Sequence, residues 1–464
     1  SMGVPSMLEH YLQLTYGKGS FWRTLMQDPE VVHGLQDTRS LNSVVTDSAA
    51  ASSSWGSGSH LWNGMINTLP DGTKLRTLYD ILGEQKMRRG LVSTATITHA
   101  TPAGFSINAF DRDNEDAIAL SYLNSGIDVI MGGGDKFFSA SGRADKQDLY
   151  AKFAAKKYGI ARNRASLKAA QAKGGKVLGI FSNSHVPYYV DRQHDRALAQ
   201  IPSLEEMTRS AIALLKGSPE GFVLQVEAAR VDHAAHANDF AGLVFDLQEF
   251  DKALKVAVDF ARENGDTLVV ATSDHGNSNP GLNGSGDEYT DSTAGLRLLS
   301  SMNRSYESIL HDFATGQKGY DAQQKSEKIN PTVANVQDLI AKDLGVKLTQ
   351  PESQLVVDAL LGKSSLKTIE QYQLASSALA IALGNHSHVG WTGRQHTDDY
   401  TTVTALGPGS QAFAGLNQNI SFFGKLLGAR GLKWTNPTMT REQGERALGS
   451  KKVALREALE NHWV

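Results

Sequence analysis

Cysteine is absent from all 464 residues of the chain, which excludes disulfides, iron–sulfur clusters and thiolate metal sites. Any metal must be held by His, Asp, Glu or hydroxyl groups. The absence does not fix a compartment, because a cysteine-free chain tolerates either redox setting. Long apolar runs are missing as well: no stretch of about 18 uncharged apolar residues occurs, so a membrane span is not expected. Neither sign of charge dominates, with 46 basic residues against 49 acidic ones, a formal net charge of −3 and no long block of either. Nucleic-acid-specific binding and a basic membrane tether are therefore not expected. The opening Ser1-Met2-Gly3-Val4-Pro5 has neither the basic nor the apolar region of a signal peptide. No internal repeat is evident.

What is present reads as α/β. Short β-branched runs end in small or acidic residues and lead into helix-like segments, as in Ser43-Val44-Val45-Thr46-Asp47-Ser48 and in Thr267 through Asp274. Further strands are predicted at Asp128–Met131, Lys176–Phe181 and Gly221–Val226. Leu204–Leu215 and Leu243–Arg262 carry apolar residues at helical spacing and fit helices covering a sheet. From Gly276 to Asn385 the pattern loosens, with a helical stretch near Asn335–Leu344. The expectation is one α/β domain over 1–464, a central mostly parallel sheet between helices, with 276–385 inserted over the core.

Chemistry-bearing residues cluster just past the predicted strands. Glu227, Asp232 and His236 come after the strand ending at Val226, and the Asp232/His236 spacing of four puts both side chains on one helix face. Such a pair is also common on ordinary solvated helices. Asp274-His275 stands at the end of an apolar strand, where open α/β sheets place ligands and where adjacent coordinating groups invite a metal; a capped turn is the plain alternative. Ser48 comes directly after Asp47 at a junction where helix N–H groups and the helix dipole favour an anion. That suits a nucleophile, and equally an ordinary helix cap.

The segment Val45-Thr46-Asp47-Ser48-Ala49-Ala50 resembles the nucleophile motif of alkaline phosphatases. Further segments stand in that family's order: Thr94 through Ala103, ending in Thr-Pro-Ala; Arg112; Met131-Gly132-Gly133-Gly134; Pro202 through Thr208; Gln225 through His236; Ser273-Asp274-His275; and His396-Thr397. The resemblance implies a phosphomonoesterase that passes phosphate through Ser48, with Arg112 gripping the phosphate. It implies one zinc on Asp232, His236 and His396, and a second on Asp274, His275 and, during turnover, Ser48. A third site, magnesium, would use Thr101 and Glu227, with His99 and His233 beside it in a supporting role. It further implies phosphate monoesters and inorganic phosphate as ligands, export to a periplasm or the extracellular space, and a homodimer.

In that family the first strand ends in an Asp-Gly-Met turn whose aspartate bridges the second zinc and the third ion. Residues 1–6 resemble the segment immediately after this turn, so the chain is expected to start just past that ligand and its strand. The residues leave two other readings open: a phosphodiesterase or sulfatase relative, which Ser48 and the third-site pair oppose, and a non-catalytic phosphate- or metal-binding protein lacking the bridging aspartate.

Overall fold

The computed structural model describes residues 2–313, 328–364 and 374–449. Its thirteen strands are β1 (Val32–Asp37), β2 (Arg88–Thr96), β3 (Val129–Gly133), β4 (Tyr158–Ala161), β5 (Lys176–Ile180), β6 (Phe222–Glu227), β7 (Val269–Thr272), β8 (Gly276–Asn277), β9 (Gly281–Leu282), β10 (Val389–Gly390), β11 (His396–Thr397), β12 (Thr401–Leu406) and β13 (Gly415–Gln418).

Five strands form an all-parallel sheet in the order β4-β5-β3-β2-β6. Parallel neighbours require crossovers, and the intervening segments supply helices for both faces. β3 is buried along its whole length, as a strand covered on both sides should be. The helix Leu204–Leu215 packs on β2. Ser203 and Glu206 form a capping box at its start, and Leu204, Met207, Ala211 and Leu215 recur on one face. A second sheet, β13-β1-β12-β7, contains antiparallel pairs of β12 with β1 and β7. β6 and β7 each form one edge of their sheet, and every residue of both is only partly buried.

Ser43–Thr46 is not the strand expected from its β-branched pair. Val44 is 66% exposed, and Ser40 N–H bonds Ser43 O while Val45 N–H bonds Ser43 Oγ, so local turns replace sheet pairing. A run of two valines signals a strand only if a partner strand lies beside it, which the run itself cannot reveal. The junction still feeds a helix, Ser48–Ser57, buried on all sides. Its Ala/Ser/Gly composition permits close crossing of the helix Ala100–Ser106: a Cβ on Gly56 would meet Gly104 O at 1.9 Å.

The helices Tyr306–His311, Val333–Leu344, Gln350–Leu360 and Ala375–Ser387 share a hydrophobic cluster with the first helix, Gly3–Tyr16, and with Phe240 and Leu243 of the helix Phe240–Asn264. Asp239 joins the two parts. One of its carboxylate oxygens accepts from Gly242 N–H to cap Phe240–Asn264, and the other accepts from Tyr306 N–H.

Candidate active site

The carboxyl ends of β6 and β7 bring the hard-ligand residues together. Glu227 ends β6, and the next helix, Arg230–His236, carries Asp232 and His236 one turn apart. Asp274 and His275 lie between β7 and β8. The short ribbon β8–β11 then pairs Asn277 with His396, and the His275 and His396 rings stack with centroids 3.5 Å apart. Ligand atoms of Asp232, His275 and His396 all lie within 4.8 Å of one another.

The backbone fixes which ring nitrogen faces inward. His236 Nδ1–H donates to Arg394 O at 2.5 Å, and His396 Nδ1–H donates to Thr46 O at 2.8 Å. A carbonyl can only accept, so both rings turn Nε2 toward the cluster, where the two Nε2 atoms stand 3.0 Å apart. Asp232 lies 3.4 Å from the first and 3.6 Å from the second. Two facing lone pairs beside a carboxylate call for a cation between them. Burial pushes the Asp232 carboxyl up, but His236, His396 and His275 outweigh it and hold the group well below the usual carboxylate range. For His275 burial opposes charge, yet Asp274, Asp232 and Asp47 raise the imidazole to about 9. The N/O donor set therefore fits a divalent cation such as zinc.

Ser48 is the first residue of its helix, and its Oγ lies 3.1 Å from His275 Nε2, the nitrogen that also faces Asp274 Oδ2 at 3.1 Å. The sequence points to Asp47 only as a cap, and it does accept from Ala50 N–H at 2.9 Å. Its other oxygen pairs with Arg112 Nη1 at 3.0 Å, a role the sequence does not reveal. Arg112 Nη2 donates to His99 Nε2 at 3.1 Å. The guanidinium is thus held from two sides, and each Nη retains a second N–H.

Glu227 Oε2 accepts from Ser93 Oγ at 2.5 Å, and Thr101 also bonds the carboxylate. Burial, reinforced by Asp274 and Asp232, lifts Glu227 to about 7. His99 and His233 lie beside this region with ring centroids 5.6 Å apart. They are joined by His185, which sequence reasoning misses: its ring is 4.5 Å from His233 and 5.9 Å from His99. His185 sits on the loop after β5 with no motif around it, and Thr96 N–H donates to its Nδ1. Arg230, equally unmarked in the sequence, donates to His233 Nδ1 at 2.9 Å and pairs with Glu307. Burial, then His185, Arg230 and His99, hold His233 well below the ordinary histidine range.

With this geometry in view, a model of the family described as alkaline phosphatase matches residues 2–429. Alkaline phosphatase 3 of Bacillus subtilis is 32% identical over 383 residues, covering 81% of this chain and 75% of that protein. Alkaline phosphatase 4 of the same organism is 30% identical over 383 residues, covering 81% and 74%. The crystal structure of Thermus thermophilus alkaline phosphatase superimposes with a TM-score of 0.88 at 33% identity, covering 97% of this chain and 93% of that one.

Proposed function

Since the chain belongs to the alkaline phosphatase family and is a metal-dependent hydrolase of phosphate monoesters, we propose that Ser48 takes the phosphoryl group before water receives it. Asp232, His236 and His396 would hold one zinc, Asp274 and His275 a second with Ser48, and Thr101 and Glu227 a magnesium. Bound there, the metals would supply Lewis acidity and lower the pKa of a coordinated hydroxyl or water toward roughly 7.

The observation that carries the reading is the 3.1 Å approach of Ser48 Oγ to Nε2 of His275, a member of the Asp232/His275/His396 cluster. Serine is a weak nucleophile at its free pKa, so an oxygen aimed into a cluster that collects positive charge is where it can be activated. The helix Ser48–Ser57 adds its dipole and first-turn N–H groups toward a bound anion. Arg112, held by Asp47 and His99, presents its remaining N–H groups as a fork for two phosphoryl oxygens, orienting the group for attack. Seating Arg112 and Ser48 on either side of Asp47 sets their spacing through one rigid helix start.

The test is the Ser48→Ala variant under acid quench with radioactive phosphate. Loss of protein label supports Ser48 as the acceptor, and equal labelling of variant and parent refutes it. The proposal includes export to a periplasm or the extracellular space and a homodimer, both supported by family membership. Among the described residues no helix is long and apolar enough to cross a membrane.

A further inference from the structure

Five arginines are buried among the described residues: Arg112, Arg143, Arg192, Arg230 and Arg394. Four of them are paired with carboxylates: Arg112 with Asp47, Arg143 with Asp116 and Asp145, Arg192 with Glu249, and Arg230 with Glu307. Arg394 is the exception. It is 8% exposed, and its one hydrogen bond among the described residues runs from Nε–H to His236 O at 3.0 Å. A buried charge without a counter-charge is costly and calls for an explanation.

A structural role accounts for part of it. His236 O lies at the carboxyl end of the helix Arg230–His236, where a cation is favoured and a carbonyl seeks a donor. One N–H of the five on a guanidinium satisfies that carbonyl. The Nη groups are left over, and they are not among the sealed polar atoms of the protein, so they reach solvent. Arg394 also lies two residues before His396, and its own carbonyl orients His236. It therefore backs the side of the cluster formed by His236 and His396.

We propose that Arg394 takes its missing counter-charge from the substrate, reading a second anionic group, such as a carboxylate, on the alcohol portion of the phosphate monoester. The inference rests on the proposed function and adds one step to it: displacement in line with Ser48, whose Oγ stands at His275, sends the departing alcohol toward the opposite side, that of His236 and His396. A planar fork suits carboxylate or phosphate oxygens better than a point charge does. The class of substrate favoured is then the monoester of an acidic alcohol over that of a neutral one.

The test compares 3-phosphoglycerate with glycerol 3-phosphate, which differ by a carboxylate in place of a hydroxymethyl group, on the holoenzyme with zinc and magnesium supplied. Arg394→Gln should lower kcat/KM for 3-phosphoglycerate roughly tenfold more than for glycerol 3-phosphate, the worth of one charged hydrogen bond. Arg394→Lys, which keeps the charge and a donor for His236 O, should fall between. Equal losses on both substrates would make Arg394 a helix cap only and overturn the inference, as would no loss on either. Failure of the parent chain to hydrolyse glycerol 3-phosphate at all would instead bring down the phosphatase reading beneath it.

Discussion

Two groups of three imidazoles lie close together in this protein, and one ring of the first contrasts with one ring of the second. In one, His236, His275 and His396 share space with Asp232 and Asp274. In the other, His99 and His233 bond the guanidinium groups of Arg112 and Arg230, and the His185 ring lies against both imidazoles. His275 is buried and His233 half-buried, and neighbouring carboxylates raise the first to about 9 while burial and neighbouring cationic groups hold the second well below its ordinary value. Imidazole takes its role from its company. His275, among carboxylates, is drawn toward its charged form; His233, beside Arg230, is held toward its neutral form and accepts a hydrogen bond from that guanidinium.

Ser48→Ala removes the group on which the two sides converge, and should cost about a thousandfold or more in kcat, measured on p-nitrophenyl phosphate. Retention of near-parental turnover would detach Ser48 from the chemistry. His396→Ala breaks the carboxylate-rich group: activity at limiting zinc should fall roughly a hundredfold, with partial recovery in excess zinc. A loss that no zinc concentration relieves, with metal content unchanged by elemental analysis, would contradict a ligand role.

Arg112→Ala breaks the anion side. Loss of charged hydrogen bonds to phosphoryl oxygens should lower kcat/KM about tenfold to a hundredfold and weaken product inhibition by phosphate while metal content holds. Unchanged inhibition would remove Arg112 from the site. The smallest effect expected is the most pointed for the comparison. His99→Asp places a carboxylate in the second group and should lower the magnesium concentration needed for half-activation by about threefold to tenfold. An unaltered magnesium requirement would show that neighbouring charge does not separate the two groups.

Much of this is legible in the sequence, for reasons that differ by residue. The Asp232/His236 pair can be read because four residues make one helical turn, and Asp274-His275 because a strand end is where an α/β sheet presents its ligands. The helix Leu204–Leu215 is readable from its periodicity and capping residues. Glu227 is marked by the strand it ends, whereas His396, Arg112 and Thr101 need the family resemblance, since nothing local marks them. Ser43–Thr46 misleads, because its β-branched residues lie in an exposed turn. The dual role of Asp47, the bridging place of His185 and the lack of a carboxylate partner for Arg394 among the described residues depend on contacts between distant segments, such as Asp47 with Arg112 and His185 with Thr96. Those contacts have no period or spacing in the chain.

The measurement that bears most directly on the account is phosphate trapping on the zinc- and magnesium-loaded chain, by acid quench and mapping of the labelled peptide, with and without prior chelation. The account predicts label on Ser48 that disappears when the metals are removed. Turnover of p-nitrophenyl phosphate with no label on Ser48, or labelling indifferent to chelation, would contradict it.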